Sequence, residues 1–434
     1  MYALVDGNNF YVSCHGVFLP ELVGRPVVVL GNGDSCAVAR SNEAKALGIK
    51  MGAPWFQIKH LEKEVGLVAL SASFALYGDL SDRMMSLAAG LGSSFEVYSI
   101  DEGFAFLSGI PGCLVERSHK IRARILQWVG IPCCIGIGAT KTMAKLANHV
   151  AKSAERKPGS YPVYMAQVCN LAALSTSELA AVFAATEVGE VWGVGRRITA
   201  QLNEAGIHTV LEFSRLEPAM VRSRWSVVLE RTLLELNGIA CFELDTQPAP
   251  KQEIACTRSF GHPVTSLSEL SEAITEFASK ATQKLRKQGS HAVQVLVFIR
   301  TSPFSVEAQY SRSITVPLRR PSSDTVVIVA AALVGLKGIF QPGFKLAKAG
   351  VMLLDLQPDT VQQGELDWQD EVVSSKSRVP LMAAMDALNL RYGNGTVLLA
   401  SAGLAGDCRT WMPKQARLTP QYTTRWADMP IAWA

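Results

Sequence analysis

The first 140 residues alternate short apolar runs with stretches of helical spacing, and acids and glycines mark the breaks. "YALVD" (Tyr2 to Asp6) is apolar until it ends on a carboxylate, and "PVVVLG" (Pro26 to Gly31) has the β-branched content of a buried strand. "SNEAKALGIKMG" reads as a short helix, with Ser41 as its N-cap and Gly48 as its stop. Helical spacing returns over Leu76 to Ala89, and strands Phe95 to Ile100 and Phe104 to Leu107 then flank "IDEG". A helix over Leu114 to Val129 and a buried strand, "CCIGIG" (Cys133 to Gly138), complete the series.

With the segment between about Phe18 and Ser73 set aside, this order is β-α-β-β-α-β, the ferredoxin-like pattern. In such a sheet the first strand lies beside the third, so the end of the first meets the turn between the second and third. Asp6 is that end, and Asp101 with Glu102 is that turn. Converging carboxylates are costly unless a cation neutralises them. Hard oxygen donors favour Mg²⁺ or Mn²⁺, and two such ions about 3.5–4 Å apart clamp the attacking and leaving oxygens of a phosphoryl or nucleotidyl transfer. An exposed hairpin turn is the plainer account of "IDEG" alone. The placement of Asp6 argues against it. Just past Asp6, Phe10 and Tyr11 stand where a nucleotide sugar would lie, and a ring there excludes a 2′-hydroxyl. Core packing is the alternative for two adjacent aromatics.

The later chain carries weaker signals. "VWGVGRRITAQLNEAGIHTVLEF" (Val191 to Phe213) reads as a helix, a Gly-x-Gly turn and a second helix. Gly193 and Gly195 let backbone amides approach a phosphate, and Arg196 and Arg197 add charge; an ordinary αα-hairpin is the alternative. "DTQPAPKQEI" (Asp245 to Ile254) is a Pro-rich tether. A helix follows from about Leu267 to Gln288, and "TVVIVAAALVGL" (Thr325 to Leu336) is too short to span a bilayer and reads as a buried helix. The last segment mixes Trp411, Trp426 and Trp433 with Arg391, Arg409, Arg417 and Arg425, a composition that suits an interface.

Bulk composition narrows the class. At 434 residues, two to four domains are expected, and 48% hydrophobic with 18% charged residues excludes a disordered chain. A net charge of +4 permits a nucleic-acid partner without demanding one. Nine cysteines form no CxxC pair, and the adjacent Cys133 and Cys134 point to opposite faces of a strand, so free thiols in a reducing compartment are expected. The N-terminus lacks the regions of a signal peptide, so the expected location is cytoplasmic.

"VDGNNFYVSC", "AVARSNEAKALGIKMG", "YSIDEGFAFL" and "CCIGIGATKTMAKLANHVAK" together resemble the Y-family translesion DNA polymerases. Their spelling, with the C-terminal "YTTRWADMP", is most similar to the UmuC-type catalytic subunit of DNA polymerase V and its plasmid- and mobile-element-borne relatives. The resemblance covers essentially the whole chain. It implies an α+β multidomain fold: a ferredoxin-like palm (1–18 and 76–165), fingers (19–75), a helix-hairpin-helix thumb (166–242), a linker (243–253), a separate α/β little finger (254–356) and a C-terminal partner-binding tail (357–434).

The resemblance further implies that Asp6, Asp101 and Glu102 are the catalytic metal ligands, joined by the Gly7 carbonyl. Tyr11 becomes the steric gate with Phe10 beside it, and Arg40, Lys45 and Lys152 the cations on the triphosphate. A guanidinium offers that phosphate a bidentate fork, and an ammonium a point charge. Gly193, Gly195, Arg196 and Arg197 would grip DNA from the thumb, and Arg258, Arg286, Lys287 and Arg312 from the little finger. Gln363, Leu366 and Trp368 lie where such enzymes carry a sliding-clamp peptide, although their spacing departs from the usual consecutive Leu-Phe. Asn8 stands where relatives often have an acid. Two Mg²⁺ ions, replaceable by Mn²⁺, and a dNTP are implied as cofactor and substrate. The implied partners are primer-template DNA, a cleaved UmuD-type dimer, a RecA filament and the sliding clamp. Small residues near the base pair (Gly48, Gly52, Ala53) would make for error-prone translesion synthesis in SOS-type repair. A non-catalytic DNA-binding scaffold and a nucleotidyl cyclase remain as rival classes.

Overall fold

In the computed structural model, which describes residues 1–245, 247, 249–361, 378–403 and 411–431, the chain divides into two units. The first comprises Met1–Gly31, Cys36–Pro248 and Arg417–Ala434; the second comprises Asn32–Ser35 and Ala249–Ala416.

The first unit is built on β1 (Tyr2–Gly7), whose six residues are all buried. After it come α1 (Phe10–Phe18), β2 (Val27–Leu30), β3 (Ala37–Arg40), α2 (Asn42–Ala46), α3 (Trp55–Ile58), α4 (Leu61–Glu64) and β4 (Val68–Ser71). Strands β2, β3 and β4 form a three-stranded sheet of their own, in the order β3-β2-β4. Ser41 caps α2 by accepting from the Ala44 amide at 3.1 Å, and Gly48 (φ 78°) lies just past its end, as the sequence predicts.

The chain returns through α5 (Phe74–Ala89), β5 (Ser94–Val97), β6 (Glu102–Phe106), α6 (Leu114–Val129), β7 (Cys133–Gly138), α7 (Lys141–Arg156) and β8 (Val168–Asn170). The main sheet has the order β5-β6-β1-β7-β8, so the first strand does lie beside the third. Ala3, Val5, Ala105 and Ile135 pack with α5 and α6 on one face, while Tyr2, Leu4 and Phe104 meet Ala144 of α7 on the other. Cys133 and Cys134 follow the same alternation into separate cores. The described cysteines are free thiols.

Beyond β8 the chain is helical: α8 (Thr176–Ala185), α9 (Arg196–Glu204), α10 (Val210–Ser214), α11 (Pro218–Arg224) and α12 (Val227–Leu236). Only a three-residue 3-10 helix, Val188–Glu190, precedes the Gly193–Gly195 turn, instead of a helix starting at Val191. Glu235 of α12 is fully buried and takes four hydrogen bonds. Oε2 accepts from the Thr142 amide and hydroxyl, both at 2.8 Å, and Oε1 from the Cys241 and Phe242 amides, both at 2.9 Å. The carboxylate thus sits on the N-terminus of α7, where backbone amides and the helix dipole stabilise it.

The second unit runs β9 (Ile254–Val264), α13 (Leu267–Lys287), β10 (Ser290–Thr301), β11 (Ser311–Ser322), α14 (Thr325–Ile339), β12 (Leu346–Leu354), β13 (Gln357–Pro358) and α15 (Val379–Tyr392). Its sheet order is β11-β10-β12-β9, with both long helices packed against it. The expected buried helix, α14, covers the sheet with Ile328, Ala332 and Leu336 but leaves Val334 65% exposed.

The C-terminal segment, expected to be a partner-binding tail, is divided between the two units. Trp411 is 2% exposed, in the core of the second unit beside Phe277, because an indole of that size is most stable out of water. Residues 417–431 pack instead on the first unit. Arg417 forms a two-pronged pair with Glu62 (2.6 and 3.0 Å) and stacks over Trp55, while Tyr422 stacks on Phe18. Trp426 stays exposed. Among the described residues no helix is long and apolar enough to cross a membrane.

His15 is fully buried beside the Tyr77 hydroxyl at 2.7 Å, and burial pushes its pKa down to about 4. The folded ring therefore stays neutral while the unfolded chain takes up a proton below 6.5. Stability present above pH 6.5 is lost as pH falls through 4, by about 3 kcal/mol for this group. The urea midpoint of the wild type should fall across that window more steeply than that of His15→Gln.

Candidate functional site

Antiparallel register sets Asp6 of β1 directly opposite Glu102 of β6, and the Gly7 amide donates to the Asp101 carbonyl at 2.8 Å. Asp6 continues the Tyr2–Leu4 row and Glu102 the Phe104 row, so both carboxylates belong to the face that α7 covers. Two backbone features make the approach possible. A Cβ on Gly136 would lie 2.1 Å from the Asn148 nitrogen, so only glycine lets α7 sit this close to β7. A Cβ on Gly103 would lie 2.3 Å from the Phe95 ring, which accounts for the glycine that follows the acid pair.

Seven residues, two turns of α7, separate Lys145 from Lys152, and both reach this rim. Lys152 pairs with Asp6. Lys145 Nζ lies 3.0 Å from Glu102 Oε2, within ion-pair distance, although that oxygen receives no aligned hydrogen bond. Lys145 also sits over the rings of Tyr98 (4.4 Å) and Trp192 (5.0 Å). Asp101 accepts from the Ser99 hydroxyl at 2.6 Å. Burial, reinforced by Glu102 and Asp101 and opposed by Lys152, pushes the Asp6 carboxyl up to about 6.

With each acid turned to its own partner, no three metal-ligating side chains of the described residues converge tightly enough to enclose an ion. The donor chemistry nevertheless fits a hard divalent cation. Three carboxylates share one rim, a buried Glu102 oxygen lacks an aligned donor, and the Asp6 proton affinity is raised by burial and then by Glu102 and Asp101.

All nine residues expected at the metal and nucleotide sites line one cleft of about 360 Å³: Asp6, Gly7, Asp101, Glu102, Phe10, Tyr11, Arg40, Lys45 and Lys152. Tyr11 is stacked on Tyr77 (4.3 Å, 10°) and held edge-on by Phe74. Sequence reading missed Asn9 and Arg156. Asn9 adopts a left-handed φ of 50° and accepts from Lys45 at 2.6 Å, tying the β1–α1 turn to α2. Its signal was there in "GNN", since Asn tolerates that region better than most residues. Arg156 lies one further turn beyond Lys152 on α7. The chain between α1 and α5 lines the cleft with Val38, Ala39 and Met51; Gly48, Gly52 and Ala53, expected near the base pair, are not in the lining.

Gly193 (φ 89°) and Gly195, the N-cap of α9, leave the turn open, with Arg196 and Arg197 exposed beside it. In the second unit the expected phosphate contacts separate. Arg312 joins Arg300 and Lys348, both missed, around Phe298 on the open sheet face. Lys287 is exposed at the end of α13. Arg258 is in register with Ala349 on the helix-covered side. Arg286 is committed to Asp386 (2.7 and 2.8 Å), Thr325 Oγ1 and the Ser323 carbonyl, so it clasps α13 to α15 rather than facing outward. Gln363, Leu366 and Trp368 lie outside the described residues.

Comparison with known proteins gives a consistent result. The model of the impB/mucB/samB family matches residues 5–149, that of the same family's C-terminal domain residues 251–366, and a domain of unknown function residues 380–432. The chain is 40% identical to Protein ImpB of Salmonella typhimurium over 100% of its own length and 99% of that protein. Identity to Protein UmuC of Salmonella typhimurium is also 40%, over 99% of both chains. DNA polymerase IV 2 of Mycobacterium tuberculosis is 30% identical over 76% of this chain and 90% of its own. Among solved structures, a Y-family DNA polymerase chimera of Dbh and Dpo4 superposes with a TM-score of 0.63 at 18% identity, covering 82% of this chain and 99% of that one.

Burial first, and then Arg156, Arg40 and Lys152, push the Lys45 ammonium down to about 8, with Asp6 opposing. Lys45 therefore loses its charge as pH rises above 8. The KM for an incoming triphosphate should rise severalfold between pH 8 and 9.5, and the rise should disappear in Lys45→Arg.

Proposed function

The chain belongs to the impB/mucB/samB family and is a Y-family, UmuC-type DNA polymerase of error-prone translesion synthesis in SOS mutagenesis; from that premise we propose how its cleft extends a primer. The observation that carries the reading is the Asp6–Glu102 register, which brings three acids to one rim of a cleft whose other walls hold Arg40, Lys45, Lys152 and Arg156.

Asp6, Asp101, Glu102 and the Gly7 carbonyl would hold two Mg²⁺ ions, which supply Lewis-acid stabilisation of the attacking and leaving oxygens. Arg40, Lys45, Lys152 and Arg156 balance the triphosphate charge, and Lys152 passes from Asp6 to the phosphates when the substrate arrives. The primer 3′-hydroxyl attacks the α-phosphate and pyrophosphate leaves. Tyr11 cannot swing away from a 2′-hydroxyl because Tyr77 and Phe74 brace it, so ribonucleotides are refused. The thumb turn at Gly193–Gly195 and the open face bearing Arg300, Arg312 and Lys348 take the DNA backbone without reading sequence. A cleaved UmuD-type dimer and a RecA filament are the expected activating partners, with the sliding clamp a further one.

Lys145 is a positioning residue in this scheme. It holds Glu102 while resting on Trp192, the residue before the thumb turn. Its charge opposes a metal at Glu102, so Lys145→Met should lower the Mg²⁺ concentration needed for half-maximal rate while reducing kcat. Lys145→Arg should restore both. A purely structural role would leave the Mg²⁺ midpoint where it is.

The direct test is primer extension on undamaged and abasic templates with Mg²⁺ and dNTPs, with and without the UmuD-type protein and RecA filament. Extension past the lesion should vanish in Asp101→Ala, and Tyr11→Ala should admit ribonucleotides. Primer-template binding without extension under every condition would restore the scaffold reading.

A further inference from the structure

A second cavity, of about 650 Å³, lies wholly within the second unit, between β9, α13 and the segment that begins at α15. Its lining carries Arg258, Lys280, Lys284 and Arg286 against only Glu276 and Asp386. Lys280 is paired with Glu276 and Arg286 with Asp386. Among the described residues, Arg258 and Lys284 have no carboxylate partner, so the lining keeps two uncompensated positive charges. Two unpaired cations at the edge of one recess give it a positive field that favours an anion there.

The remaining walls are of a different kind. Met385, Val397, Leu399 and Met412 make an apolar surface. The side-chain amides of Gln283 and Asn394 make no hydrogen bond among the described residues, which leaves them available to a polar edge. The volume falls within the roughly 300–1,000 Å³ of small-molecule pockets, which typically combine apolar walls with a few placed polar groups.

We propose that this cavity binds a small phosphate-bearing molecule of nucleotide size, its phosphate on Arg258 and Lys284 and its body against the methionines. The site gives a role to part of the domain of unknown function, since residues between Met385 and Leu399, with Met412, supply much of the wall. The register argues for a small ligand over the DNA backbone. Arg258 shares a row with Ala349 on the covered side of the sheet, whereas Arg300 and Lys348 occupy the open side.

Calorimetric titration of the full chain with ATP in EDTA tests this without using activity, because the palm carboxylates then have no metal with which to hold a triphosphate. Lys45→Glu combined with Arg40→Gln provides a background in which that cleft loses two of the cations that line it. One molecule of ATP should bind, adenosine should not, and inorganic phosphate should compete. Lys284→Glu, on an exposed position of α13, and Arg258→Gln should each weaken ATP at least tenfold. No binding in EDTA, or equal affinity in both variants, would overturn the proposal. Binding of duplex DNA that both variants weaken, with no binding of ATP, would overturn it in favour of a DNA-backbone contact.

Discussion

The first unit is organised around a repulsion and its compensation. Asp6 and Glu102 are fixed opposite each other by strand register, with Asp101 one residue away, and no side-chain rotation can remove all three from one rim. Two lysines two turns apart on α7 supply the opposing charge. That compensation works only because α7 lies nearly in contact with β7, which Gly136 permits and any Cβ would prevent. In the proposed function a divalent cation and a triphosphate would take over the role of these lysines.

Glu235 extends this logic to the helical part of the unit. Its carboxylate holds the start of α7 and the Cys241–Phe242 backbone together, so the helix that carries the lysines is anchored at its N-terminus by α12. Lys141, at the same end of α7, pairs with Glu96 of β5 in a nearly dry setting. Breaking one partner of such a pair leaves a buried charge, which costs far more than the pair contributes. The C-terminal residues add a clasp of a different kind: Arg417 joins α3, α4 and β4 through Trp55, Glu62 and the Ser71 backbone, and Tyr422 packs on α1.

Much of the palm was legible because its signals are local and redundant. The helix from Leu114 to Val129 and the strand from Cys133 to Gly138 appear with the expected bounds. Apolar periodicity and flanking glycines report on the same elements there. The thumb was read less well, since a Gly-x-Gly turn says that backbone approaches something but not what precedes it. The long apolar run of α14 concealed a one-sided helix, because a face of Val and Ala looks the same whether it meets a sheet or water.

The sequence by itself determined the acids, the Phe10–Tyr11 aromatic pair, the β-α-β-β-α-β order and the family resemblance. Each of these depends on residue identity and spacing along the chain. Only the tertiary structure decided which cations serve which acids, that Arg258 and Arg286 turn away from the open sheet face, and that Trp411 is core rather than interface. A lone arginine or tryptophan carries the same composition signal in either setting. What separates the settings is a strand register or a helix packed from a hundred residues away, and local sequence does not encode such distant contacts.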